Sequence, residues 1–180
     1  MTNLVPFPEV AHLFTQFKRE AWRLETRKGY ASDRSSPSWD RFMAGDAFEY
    51  DPARTWHATV RAAVEAGKRF ARVRLLDAPP TEGQRFLLAT GLGNVEAGED
   101  IRNLWRADAA SLGLPDHDFW LIDSRLILRF VFDEDDATLG VIPSEDPHEL
   151  AEACRVRDVA MRAAIPTGQF IQQVPSWREH

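Results

Sequence analysis

Apolar positions along the chain change period several times, and each change marks an element. Pro8 stands where a first helical turn tolerates it, and Val10, Leu13, Phe14, Phe17 and Ala21 recur at i, i+3, i+4, i+7 and i+11, one face of an amphipathic helix. The period then falls to two. Trp22, Leu24 and Thr26 alternate with Arg23, Glu25 and Arg27, which predicts a half-buried strand with a charged second face. Lys28 to Ser38 is polar and reads as a loop ending in a short capped helix that carries Trp39, Phe42 and Met43. From Asp51, with Pro52 at the start, Trp56, Val60, Ala63, Val64 and Gly67 share one face of a helix of about 14 residues that stops at Gly67.

Arg69 to Leu76 alternates again: Ala71, Val73 and Leu75 point one way, Phe70, Arg72, Arg74 and Leu76 the other. Pro79 and Pro80 then precede a capping-box match, Thr81 with Gln84, and a helix through Phe86, Leu87, Leu88 and Leu92 that the spacing ends near Gly91 or Gly93. Gly98 closes a turn, Ile101 to Trp105 is a short strand, and Asp108 caps a brief helix stopped by Gly113 and Pro115. Phe119 to Asp123, Leu126 to Phe132 and Thr138 to Ile142 form a three-strand meander, with Ser124-Arg125 and the acidic turn Asp133 to Asp136 as connections. Leu150, Cys154, Arg157, Met161 and Ala164 mark a last helix that Pro166 ends.

One strand-helix-strand unit followed by an antiparallel meander predicts an α+β fold, a mixed β-sheet with helices packed on it. No repeat or linker divides the chain, so residues 1–180 read as a single domain, with an N-terminal helical segment over about 9–50 and an irregular C-terminal tail over about 166–180.

Composition narrows the function classes. With 22 Lys+Arg against 28 Asp+Glu the chain carries a formal charge of −6, which opposes a large surface for phosphate backbones and argues against direct nucleic-acid binding. No run is long and apolar enough for a membrane helix, and Met1 to Pro6 resembles no signal peptide, so no membrane association and a cytoplasmic location are expected. The single cysteine, Cys154, excludes an internal disulfide and sits on the apolar face of its helix, where an unreactive thiol is expected.

No metal and no cofactor is predicted. The histidines His12, His57, His117, His148 and His180 lack metal-ligand spacings, and no phosphate-cradling glycine loop or nucleophile elbow occurs. What remains is a charge constellation: Arg23, Glu25 and Arg27 on one strand face, Arg72 and Arg74 on another, Asp100 and Arg102 at the central turn, and Asp123 at a strand end. If the strands are neighbours, the arginine forks match a carboxylate or phosphate, or else they close into an internal ion-pair network.

The segments Trp22-Arg-Leu-Glu-Thr-Arg-Lys-Gly-Tyr30, Gly98-Glu-Asp-Ile-Arg102 and Leu112-Gly-Leu-Pro-Asp-His-Asp-Phe-Trp-Leu-Ile-Asp123 resemble those of the DUF6879 family of actinobacterial uncharacterised proteins, over about Phe14 to Pro166. Members of that family are often encoded beside helix-turn-helix transcription regulators, which implies a regulatory context and no particular chemistry. The element order is also similar to one half of the phospholipase D fold. Aligning that fold's His-x-Lys-x-x-x-x-Asp acid with Asp123 puts Asp116 and Asp118 where the histidine and lysine belong, so the likeness implies a degenerate, non-catalytic half.

Two functions follow. The first is a non-catalytic binding or regulatory module, partnered by a helix-turn-helix regulator or by a small anionic ligand held by Arg23, Arg27, Arg72, Arg74 and Arg102 with Trp22 and Trp120. The alternative is a small-molecule enzyme using Asp100, Asp123, His117 or Glu25 as acid or base in a pocket rimmed by the same two tryptophans.

Overall fold

The computed structural model describes residues 3–174. Its strands are β1 (Glu20–Glu25), β2 (Arg69–Leu76), β3 (Asp100–Trp105), β4 (Phe119–Ile122), β5 (Leu126–Phe132), β6 (Thr138–Ser144) and β7 (Ile165–Pro166), and they join one mixed sheet in the order β6-β5-β4-β1-β2-β3-β7. β1, β2 and β3 run parallel, the meander β4-β5-β6 attaches antiparallel to the free side of β1, and β7 pairs antiparallel with β3. The helices are α1 (Phe7–Val10), α2 (Leu13–Gln16), α3 (Ala31–Arg34), α4 (Pro37–Met43), α5 (Thr55–Glu65), α6 (Glu82–Ala97), α7 (Arg106–Ser111), α8 (Pro147–Ala163) and α9 (Thr167–Phe170). This is the α+β architecture expected.

Alternation along the strands sorts the core into two layers. Trp22, Leu24, Val73, Leu75, Phe119 and Leu121 pack under α8 through Ala153, Val156 and Ala160. On the other face Ala21, Phe70, Trp120, Leu128 and Phe130 meet Val10, Phe14 and Phe17 of the N-terminal turns and Val60 and Ala63 of α5. Each fully buried large side chain, Trp22, Phe70, Leu24 and Leu128 among them, contributes on the order of 1.5–3 kcal/mol of apolar transfer energy.

Several boundaries depart from the periodicity, each for a local reason. The apolar stripe from Val10 to Ala21 is not one helix: α1 and α2 are single turns, and Ala21 lies inside β1. Phe17 turns extended, and the N–H groups of Lys18, Arg19 and Glu20 donate to the Asp123 carboxylate instead of to helix carbonyls. The long helix does not stop at Gly91 or Gly93 but runs to Ala97, where Gly98 at φ 115° caps it in the left-handed region. The two internal glycines serve close approach: a Cβ on Gly91 would lie 2.7 Å from Arg74 Nη1, and one on Gly93 would lie 2.6 Å from the Glu49 carbonyl oxygen. α7 begins at Arg106, so Asp108 sits in its first turn and is not its cap.

The polar stretch after Lys28 contains α3, and the tail is ordered as far as it is described. Ile165 and Pro166 pair with Asn103 and Arg102, and Phe170 is buried against Leu76 and Leu88. Tail residues beyond 174, including His180, lie outside the described residues. Among those described, no helix is long and apolar enough to cross a membrane.

Candidate functional site

The site grows from strand register. The β1 alternation points Arg23 and Glu25 to the side of α5 and α6, and parallel pairing sets Arg72 beside Arg23 and Arg74 beside Glu25. Antiparallel β4 adds Trp120 opposite Arg23. Three guanidinium groups therefore crowd one buried patch, an arrangement tolerable only with matching acids.

Those acids are present. Glu25 accepts from Arg72 Nη1 at 2.6 Å and from Arg74 Nε at 2.6 Å. Glu99, placed by the turn after α6, accepts from Arg72 Nε at 2.5 Å and from Trp56 Nε1 at 3.0 Å. Asp118 accepts from Arg23 Nη2 at 3.3 Å, from the Thr26 N–H at 2.7 Å and from the Tyr30 hydroxyl at 2.5 Å. Arg74 Nη1 also donates to the Leu87 carbonyl at 2.6 Å, the contact that requires glycine at position 91. Burial pushes the Glu25 carboxyl upward, but Arg74, Arg72 and Arg23 outweigh it and hold the group far below the usual glutamate range.

Above this network lies a cavity of about 780 Å³ walled by Phe14, Trp56, Trp120 and Phe130. The Arg23 guanidinium stands 4.6 Å over the Phe130 ring, and Arg72 lies 5.6 Å from Trp56 and 5.5 Å from Trp120, so the aromatic walls and the cationic floor form one surface. Asp33 of α3 and Arg54, the residue before α5, line the same cavity. Asp33 Oδ2 is buried with no hydrogen-bond partner, as are Arg23 Nε and Trp120 Nε1. Burial raises the Asp33 carboxyl to about 6, reinforced by Glu25 and partly offset by Arg74.

Asp33 is thus a cavity-lining acid held at the expense of stability. Its folded pKa lies above the ordinary aspartate value, so stability is greatest below about pH 4 and is lost as pH rises through the window up to about 6. Asp33→Asn is expected to raise the unfolding midpoint at pH 7.5 by an amount equivalent to about 1–2 kcal/mol, allowing for partial exposure, with no gain at pH 4. Urea titrations at the two pH values check this.

The remaining predicted site residues fall elsewhere. Trp22 is fully buried on the α8 side of the sheet, facing away from the cavity that Trp120 lines. Arg102 also points to the α8 side, holding Asp100 at 3.0 Å and the Met161 carbonyl, so it shares no face with Arg72 and Arg74. Arg27 pairs with Asp136 over the Phe132 ring at the far end of β1. Asp100 is clamped between Arg69 at 2.6 Å and Arg102. Burial pushes the Asp123 carboxyl up, but the Lys18, Glu20 and Arg19 N–H groups hold it below the usual range. His117 lies in a separate groove with Phe119 and Arg129, and burial followed by Arg129 lowers its pKa.

Among the described residues no group of three or more His, Cys, Asp or Glu side chains is placed to hold a metal ion. Asp33, Arg54 and Glu99 are not among the candidates the sequence offers, Trp56 reads there only as core, and Asp118 enters at the lysine position of the phospholipase D alignment. Asp33 and Arg54 lie in polar stretches with no periodicity, and Glu99 is marked in the sequence only by the turn glycine before it and by the family segment from Gly98 to Arg102.

A search of proteins with curated functions finds no match. The family model described as domain of unknown function (DUF6879) matches residues 8–172. Since that match takes in every strand and every helix but the first residue of α1 and the end of the final turn, the chain belongs to the DUF6879 family.

Proposed function

We propose that this chain is a non-catalytic small-molecule-binding module, and that it works with a helix-turn-helix regulator as the responding partner. The observation that carries the reading is the cavity of about 780 Å³ with aromatic walls over an internally neutralised floor. Its volume falls in the range of pockets that enclose a small organic ligand. Because Arg72 and Arg74 already hold Glu25 and Glu99, they act as a fixed polar floor, and Arg54, which has no ion pair within 4 Å among the described residues, is the cation left for an acidic group of the ligand. The regulator partnership rests on the family resemblance alone.

The test uses 8-anilinonaphthalene-1-sulfonate, an aromatic anion whose fluorescence rises in apolar surroundings. Saturable binding to the native protein at one site is expected, and Thr59→Trp, which fills the cavity from α5, should weaken it at least tenfold without lowering the thermal midpoint. Binding that is absent, or indifferent to the filled cavity, overturns the proposal. A second reading, carboxylate acid–base catalysis, is favoured by the Asp33 carboxyl near 6 on the cavity wall. Chemical change of a bound ligand on prolonged incubation, abolished by Asp33→Asn, would establish it.

A further inference from the structure

Resting on the small-molecule reading of the cavity, we infer that its ligand is a zwitterion with a flat apolar body, of the aromatic α-amino acid class: Asp33 receives the ammonium, Arg54 the carboxylate, and the aromatic walls the ring.

Charge balance is the first argument. Arg23, Arg54, Arg72 and Arg74 line the cavity with Glu25 and Asp33, and behind the lining Glu99 pairs with Arg72 and Asp118 with Arg23, so four cations stand against four acids. A guest with net charge, the sulfonate probe included, adds an uncompensated charge to a half-enclosed, weakly screened space and is held less tightly than a guest of zero net charge, which leaves the balance intact. The second argument is the state of the two mouth residues. Asp33 and Arg54 line the same cavity and, among the described residues, form no ion pair with each other within 4 Å, so a gap separates the one acid and the one base that the network leaves unused. Asp33 Oδ2 is buried and lacks a partner, and among the described residues Arg54 has no side-chain hydrogen bond. An ammonium and a carboxylate on one carbon supply a donor to the first and an acceptor to the second in a single step.

The third argument is the surface beside them. Trp56 and Trp120 pack with ring centroids 6.3 Å apart at 55° and Phe14 lies 4.8 Å from Trp120, so the three rings give the cavity a continuous aromatic wall on which a planar ring can lie. Trp120 Nε1 has no partner and is the donor that a polar substituent on that ring would meet. Asp33 Oδ2 is buried without a hydrogen-bond partner, and an incoming ammonium is the donor and counter-charge that this carboxylate lacks.

Calorimetric titration of the full chain separates this from the broader reading. The probes are L-tryptophan and L-phenylalanine, their deaminated acids indole-3-propionate and 3-phenylpropionate, and their decarboxylated amines tryptamine and phenethylamine. At least one amino acid should bind at least tenfold more tightly than both of its truncated analogues. Arg54→Gln should weaken the amino acid at least tenfold and leave the amine no weaker, and Asp33→Asn should weaken the amino acid at least tenfold and leave the deaminated acid no weaker. Equal binding of acid and amino acid, or loss in the variants without that selectivity, overturns the zwitterion assignment. If anilinonaphthalene sulfonate still reports a cavity sensitive to Thr59→Trp, only the assignment fails; if it does not, the small-molecule reading falls with it.

Discussion

Replacing Glu25 with glutamine is expected to destabilise the protein by about 3–5 kcal/mol, the loss typical when one member of a buried ion pair is removed. The carboxylate is 3 % exposed and takes one fork nitrogen from each of two arginines, at 2.6 Å. Glutamine keeps the shape but offers one oxygen acceptor and turns its amide donors toward guanidinium donors. Arg72 retains Glu99, but Arg74 is left with only the Leu87 carbonyl and an uncompensated charge. Adding Arg74→Met to the Glu25→Gln background should therefore recover about 2–3 kcal/mol, because the stranded charge goes and a flexible apolar chain fills its place. Urea denaturation of the single and double variants measures both numbers.

The same group sets an acid limit. Because the folded carboxyl lies far below the unfolded value, its stabilisation is complete above about pH 5 and is lost progressively as pH falls through the ordinary glutamate range and beyond. The wild-type protein should lose stability steeply below pH 4, and Glu25→Gln should show a flatter acid limb. Asp33 contributes with the opposite sign over pH 4 to 6, so Glu25 and Asp33 titrate in opposition across one cavity.

What the chain reveals before folding divides along physical lines. Period-two alternation was enough to place Arg23 with Glu25 and Arg72 with Arg74, since side-chain facing within a strand is local. It also put Trp22 and Arg23 on opposite faces, which is why Trp22 ended in the α8 layer. Register between strands is not local, and it decides that Arg72 lies beside Arg23 while Arg102, one strand over, faces the other side. Glycines misled for a related reason: Gly91 and Gly93 read as helix stops, but their missing side chains admit Arg74 and the Glu49 carbonyl. Asp33 and Arg54 had no pattern around them, and they gain meaning only when α3 and the segment before α5 bring them to one cavity.

Asp118→Asn is the second large effect, and it should act on the cavity as well as on stability. The aspartate lies just before β4, and its carboxylate gathers donors from four places: the Thr26 backbone and hydroxyl, the Tyr30 hydroxyl and Arg23. All of these but Arg23 lie on the strap that leads from β1 into α3, so the carboxylate tethers the segment that carries Asp33. Asparagine accepts with one oxygen only, and its amide must face either the tyrosine hydroxyl or the guanidinium, leaving a buried donor unpaired. The expected loss is about 2–4 kcal/mol, since a buried charge-assisted acceptor is removed while its donors stay. Tyr30→Phe alone should cost about 1–2 kcal/mol, and in the Asp118→Asn background it should cost at least about 1 kcal/mol less, because the two share one hydrogen bond. A double-mutant cycle by urea denaturation gives that coupling. If the tether also positions Asp33, the single Asp118→Asn variant should bind anilinonaphthalene sulfonate several-fold more weakly than the wild-type protein at a urea-free condition where both are fully folded, whereas Tyr30→Phe, which leaves the Thr26 bonds intact, should change it less.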